Sequence, residues 1–139
     1  MTSHPPIVIV DDDLDDLDLI KEAHEELKVP HPLILLKSGA ALINYLQESS
    51  ANPFIIISDF NLPIINGLEL RKKILEDTST RYKSIPYIIW STGANSVQVK
   101  RSYDTFVQGF FLKPPTFEEL KTTYSAILRY WELSLQPKF

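Results

Sequence analysis

The chain has 139 residues, no cysteine, 44% hydrophobic and 23% charged residues, and a formal net charge of −4 at pH 7. That suffices for one domain with a real core but not two. It excludes a disulfide framework or thiolate metal site, and the mild acidity weighs against nucleic acid as a direct partner. The start MTSHPPIVIV lacks the basic stretch and long apolar run of a signal peptide, and no run approaches the ~18 apolar residues of a membrane span, so a cytoplasmic protein is expected.

Residues 7–10 (IVIV) are a β-branched run, read as a buried strand. Residues from about 13 to 28 take helical spacing, with Leu17, Ile20, Ala23 and Leu27 on one stripe, until VPHP breaks it. Residues 33–37 (LILLK) read as a second strand. Ser38 is a plausible N-cap for a short helix over 38–49. A third strand (FIIIS, 54–58) leads through the loop LPIING (62–67) into a helix over 67–77, with Leu68, Leu70, Ile74 and Leu75 available for burial. A fourth strand (YIIWS, 87–91) follows Pro86. A weaker helix is expected over about 95–105, and a fifth strand over 109–112 (GFFL). From Thr116 a long helix carries Phe117, Leu120, Tyr124, Ile127, Trp131 and Leu135 at steps of three to four.

Five strands alternating with five helices predict an α/β fold: a doubly wound, five-stranded parallel sheet covered on both faces, with right-handed crossovers. Ligands in such folds bind beyond the carboxyl ends of the strands. Asp11 and Asp12 follow the first strand, Asp59 the third and Lys113 the fifth, while Ser91 ends the fourth. The topology therefore gathers them on one edge. Carboxylates crowded together repel, and a hard divalent cation such as Mg²⁺, which prefers oxygen ligands, relieves that cost. A carboxylate beside a metal, with a lysine opposite, is also a phosphoryl-transfer arrangement: an aspartate can form an acyl phosphate while cations stabilise the phosphoryl oxygens.

The set VDDD (10–13), SDFNLPIING (58–67), WSTGA (90–94) and FLKPP (111–115) resembles the receiver domain of two-component response regulators, the CheY-like, flavodoxin-like fold. The resemblance spans essentially the whole chain and implies the strand order 2-1-3-4-5 and a single receiver domain over 1–139 with no output domain. It implies Asp59 as phosphoacceptor, Asp12 as a direct Mg²⁺ ligand, Asp11 as a nearby acidic partner, and Asn61 lending its backbone carbonyl to the metal. Ser91 takes the position of the hydroxyl that senses the phosphoryl group, Lys113 that of the active-site lysine, and Phe110 that of an aromatic switch residue. Pro114 falls where the family commonly has a cis Lys–Pro bond, and Gly67 allows the turn before the third long helix. The runs DDDLDDLDLIKEAHEEL and RYWELSLQP look like the stand-alone regulators that partner bacterial phytochrome histidine kinases. A histidine kinase and a downstream protein or phosphotransfer partner are therefore the implied partners. The implied role is a signalling switch, not an enzyme beyond its own phosphoryl acceptance and autodephosphorylation.

Other features take plainer expectations. Asp13, Asp15, Asp16 and Asp18 are expected to cap and solvate the first helix. An EF-hand over 11–22 fails because Asp16 stands where glycine is needed and a strand precedes it. His4, His24 and His31 lack ligand spacing and are expected at the surface or on helix faces. Arg71, Lys72 and Lys73 are expected to form a solvated basic face. Tyr103, Phe106, Tyr130 and Leu133 lie off the core stripes, making the fourth helix, fifth strand and fifth helix the candidate face for a homodimer, with residues 129–137 and the tail contributing. The rival function is a Mg²⁺-dependent aspartyl-phosphate phosphohydrolase. That chemistry, as in the haloacid dehalogenase group, needs a second carboxylate two residues after the nucleophile, where this chain has Asn61. A flavin binder would need a phosphate-cradling loop after the first strand, where aspartates would repel the phosphate.

Overall fold

The computed structural model describes residues 4–48, 50–76, 82 and 84–136. The strands are β1 (Ile7–Val10), β2 (Leu33–Leu36), β3 (Ile55–Asp59), β4 (Tyr87–Ser91) and β5 (Gly109–Leu112). They alternate with α1 (Leu14–Glu26), α2 (Gly39–Gln47), α3 (Gly67–Glu76), α4 (Ser96–Asp104) and α5 (Phe117–Leu133). The strands pair in parallel in the order β2-β1-β3-β4-β5, as expected. Asp59 closes β3 instead of lying just past it.

Strand alternation sorts the core onto two faces. Ile7, Ile9, Ile55, Ile57, Ile88 and Trp90 face α1 and α5, packing with Leu17, Ile20, Leu120, Tyr124 and Ile127. Val8, Val10, Ile56, Tyr87 and Ile89 face α2 and α3, packing with Leu42, Leu46, Leu68, Leu70 and Ile74. Each fully buried aliphatic chain contributes about 1.5–3 kcal/mol by leaving water. Helix starts follow local chemistry. The side chains of Asp13, Ser38, Asn95 and Thr116 accept backbone N–H groups at the N-termini of α1, α2, α4 and α5. Asn66 and Glu69 exchange reciprocal bonds ahead of α3.

Several expectations are corrected. Arg71 is fully buried, its Nε and Nη2 donating to the Phe106 carbonyl at 3.1 and 2.8 Å and its guanidinium lying over the Tyr87 ring. The basic face is thus Lys72 and Lys73 alone. His24 lies on a helix face, that of α1, but buried against Tyr124 and the His31 carbonyl, while His31 is buried beside the Pro5 carbonyl and the Phe54 ring instead of at the surface. Leu135 lies beyond α5 and is exposed, so the core stripe ends at Trp131. The described peptide bonds are all trans, Lys113–Pro114 included. Gly67 has no positive φ, so the turn before α3 does not demand glycine on conformational grounds. No helix among the described residues is long and apolar enough to cross a membrane. The end of the tail, residues 137–139, and Asp77 lie outside the described residues.

Candidate functional site

The carboxyl ends of β1, β3, β4 and β5 bring the acidic residues and the lysine together. Asp11 is buried, continuing from β1 by an N–H bond to the Leu36 carbonyl. Its Oδ1 accepts the N–H of Asp13 at 2.9 Å. Asp59 is buried at the end of β3, and its Oδ1 accepts the N–H of Asn61 at 3.2 Å. Lys113 is fixed by a 2.7 Å bond from its N–H to the Ser91 carbonyl, which extends the β4–β5 pairing one residue past the strand. Its side chain, only 9% exposed, reaches across the strand ends. Nζ donates to Asp11 at 2.9 Å, Asp59 at 3.1 Å and Asp16 at 2.6 Å.

The electrostatics follow from that packing. Burial pushes the Asp11 carboxyl up to about 6. The Asp13 N–H and the Lys113 ammonium oppose the shift, and the charge of Asp59 adds to it. Burial alone would pull Lys113 down, but its bonds to Asp16 and Asp11 and the surrounding negative charge hold it above the ordinary lysine value. The ammonium therefore stays charged.

Carboxylate oxygens of Asp11, Asp12 and Asp59 lie within 4.8 Å of one another. Three hard anionic oxygens so close, with Asp12 exposed at the rim, fit a divalent cation such as Mg²⁺ or Mn²⁺ and suit no soft metal. Asn61 sits beside Asp59 through its N–H. Ser91 is fully buried at the end of β4, where its hydroxyl donates to the Gly93 carbonyl at 2.7 Å. Phe110 is half-buried against Phe60, ring centroids 6.1 Å apart. Asp16 is the residue the sequence reading misplaced. It does not merely solvate α1; it bonds Lys113. The signal was available: Asp16 lies one turn before Ile20 on the buried stripe and one turn after Asp12.

Residues 7–125 match the response regulator receiver domain. The chain belongs to that family. It is 30% identical to the response regulator Rcp1 of Synechocystis sp., over 93% of this chain and 91% of that one. It is also 30% identical to the probable methanogenesis regulatory protein FilR2 of Methanothrix harundinacea, over 90% of this chain and 82% of that one. Among solved structures, the phosphorylated cyanobacterial phytochrome response regulator RcpA superposes with a TM-score of 0.87 at 28% identity, covering 98% of this chain and all of that one. The Mn²⁺-bound form of Rcp1 superposes with a TM-score of 0.82 at 28% identity, covering 96% of this chain and all of that one.

Proposed function

We propose that this receiver domain accepts a phosphoryl group from a histidine kinase onto Asp59 in a Mg²⁺-dependent reaction, and that the modified state changes protein–protein contacts at the α4–β5–α5 face. The observation that carries the reading is the placement of Asp59: a buried carboxylate at a strand end, within reach of a charged lysine and beside Asp11 and Asp12. In the transfer, an Asp59 oxygen attacks phosphorus, the N–P bond of the phosphohistidine breaks, and the imidazole leaves with the bonding pair and takes up a proton. When bound to the oxygens of Asp11, Asp12 and Asp59, with the Asn61 carbonyl as a further donor, Mg²⁺ supplies charge neutralisation for the phosphoryl oxygens. Lys113 offers its N–H donors to the same oxygens. The Ser91 hydroxyl would exchange the Gly93 carbonyl for a phosphoryl oxygen, and Phe110 would repack in response. The likeness to Rcp1 and RcpA favours a phytochrome-type kinase as the phosphoryl source.

A turnover phosphohydrolase gains no support from the site. At Asn61, two residues after the nucleophile, the group bonded to Asp59 is a backbone N–H, and an amide side chain cannot transfer protons as a carboxyl does. Incubation with a small phosphodonor and Mg²⁺, read by intact mass, tests the reading. Wild type should gain one phosphoryl mass and Asp59→Asn none; full labelling of the variant would sink the assignment.

A further inference from the structure

Lys113 holds one carboxylate more than the phosphoryl chemistry asks of it. An ammonium has three N–H donors, and three carboxylates lie within bonding distance: Asp11, Asp59 and Asp16. Asp11 and Asp59 also belong to the oxygen cluster that fits a divalent cation. The lysine and a cation therefore contend for the same two carboxylates. Asp16 is outside that cluster, yet at 2.6 Å it makes the shortest of the three contacts.

Helix capping does not explain the Asp16 carboxylate, because Asp13 already accepts the N–H groups of Asp15 and Asp16. Nor is this a loose surface pair. The Lys113 side chain is 9% exposed and that of Asp16 29%, so the contact is held at the wall of the site, where charge pairs are screened less than at an open surface. Its position is in the first turn of α1, so the ammonium is tied to that helix as well as to the ends of β1 and β3.

We infer that Asp16 is a positioning residue: it holds the Lys113 ammonium to one side, so that a divalent cation can take the oxygens of Asp11 and Asp59 without expelling the lysine from the site. The inference rests on the cation-dependent reading above. Without Asp16, Lys113 has only Asp11 and Asp59 to bond, and an entering cation competes with the ammonium at both. With Asp16, one strong contact survives, and the ammonium stays beside the place where the phosphoryl group arrives.

The test is a double-mutant cycle on Mg²⁺ affinity, measured by calorimetric titration of the metal alone into wild type, Asp16→Asn, Lys113→Ala and the double variant. Asp16→Asn keeps size and shape and removes the charge. It should weaken Mg²⁺ binding by about 5-fold or more, and that loss should be at least about 3-fold larger than the loss the same replacement causes in the Lys113→Ala background. Asp16→Glu, which keeps the charge, should recover part of the affinity. Equal losses in both backgrounds would show Asp16 acting only as a distant charge and overturn the inference. Tighter Mg²⁺ binding by Asp16→Asn would overturn it too. Failure of wild type to bind Mg²⁺ would instead remove the cation-dependent reading itself, and the inference with it.

Discussion

Gly67 is the point where backbone crowds Asp59. A Cβ there would lie 2.5 Å from the Asp59 carbonyl oxygen and 3.2 Å from the Phe60 Cα, both of them backbone atoms that cannot swing aside. The Gly67 N–H also donates to the Phe60 carbonyl at 2.8 Å, and the Tyr87 hydroxyl donates to the Gly67 carbonyl at 2.6 Å, so α3 is pinned against the end of β3. The glycine is required for space, not for an unusual φ. Gly67→Ala should cost about 1–3 kcal/mol of stability by forcing the two segments apart, read as a lower urea midpoint. Asp59 moves with them, so the rate of labelling by a phosphodonor should fall as well. Gly93→Ala is the control, because a Cβ there meets nothing within 4 Å. Its stability change should stay within about 0.5 kcal/mol. Equal effects at the two glycines would show that the close approach at Gly67 carries no cost.

Helix α1 meets α5 through a polar contact in an apolar layer. His24 Nε2 lies 2.8 Å from the His31 carbonyl, an acceptor only, so Nε2 carries the proton and donates. Nδ1 then accepts from the Tyr124 hydroxyl at 2.7 Å. His31 in turn donates from Nδ1 to the Pro5 carbonyl and stacks on Phe54 at 4.3 Å. Burial lowers the His24 pKa below the ordinary histidine value. The unfolded chain therefore binds a proton below about pH 6.5 that the folded chain resists, and stability falls as the pH drops through that window. Asp11, held at about 6, acts in the opposite sense, since there the folded state binds the proton more readily. The comparison that isolates His24 is urea unfolding of wild type and His24→Gln from pH 8 to 5 without Mg²⁺. Wild type should lose more stability on acidification than the variant, with an extra slope of at most about 1.4 kcal/mol per pH unit. Parallel curves would contradict the buried neutral histidine. Strands and helix order were legible in the sequence because each shows in a local run of apolar residues, and the Ser38 cap because its side chain accepts an N–H only three residues on. His24, His31 and Arg71 were not, because their partners Tyr124, Pro5 and Phe106 are 100, 26 and 35 residues away.

At the scale of the whole molecule, the strand-end residues Asp11, Asp59 and Lys113 converge because parallel topology puts all carboxyl ends on one edge, which is why so much of the site could be read from spacing alone. The opposite holds for surfaces. Tyr103, Phe106, Leu112, Tyr130 and Leu133 are all exposed, on or beside α4, β5 and α5. Phe106 stands in the left-handed region at φ 62, a conformation that costs a bulky residue about 1–2 kcal/mol. Its carbonyl is held there by Arg71 from α3 and by the Gln108 amide at 2.7 Å, while its ring is left to solvent. An exposed aromatic ring on a strained, fastened backbone serves neither the core nor solubility, and aromatic side chains are enriched at interfaces. The proposed homodimer through this face would give it a role, and would tie association to Ser91 and Phe110 on the two strands that border it. Phosphorylation can strengthen such a dimer only by favouring the state that associates more tightly. Sedimentation should therefore show a dimer that strengthens with a phosphoryl mimic and Mg²⁺. Tyr130→Asp should weaken it by about 10-fold or more, since a charge desolvated in an apolar contact costs more than a kilocalorie or so. Phe106→Gly should separate the two contributions of that residue: it relieves the backbone strain, raising the unfolding midpoint of the monomer, while it removes the ring and weakens association. A strict monomer at high micromolar concentration, with and without the mimic, would assign the face to a different protein partner.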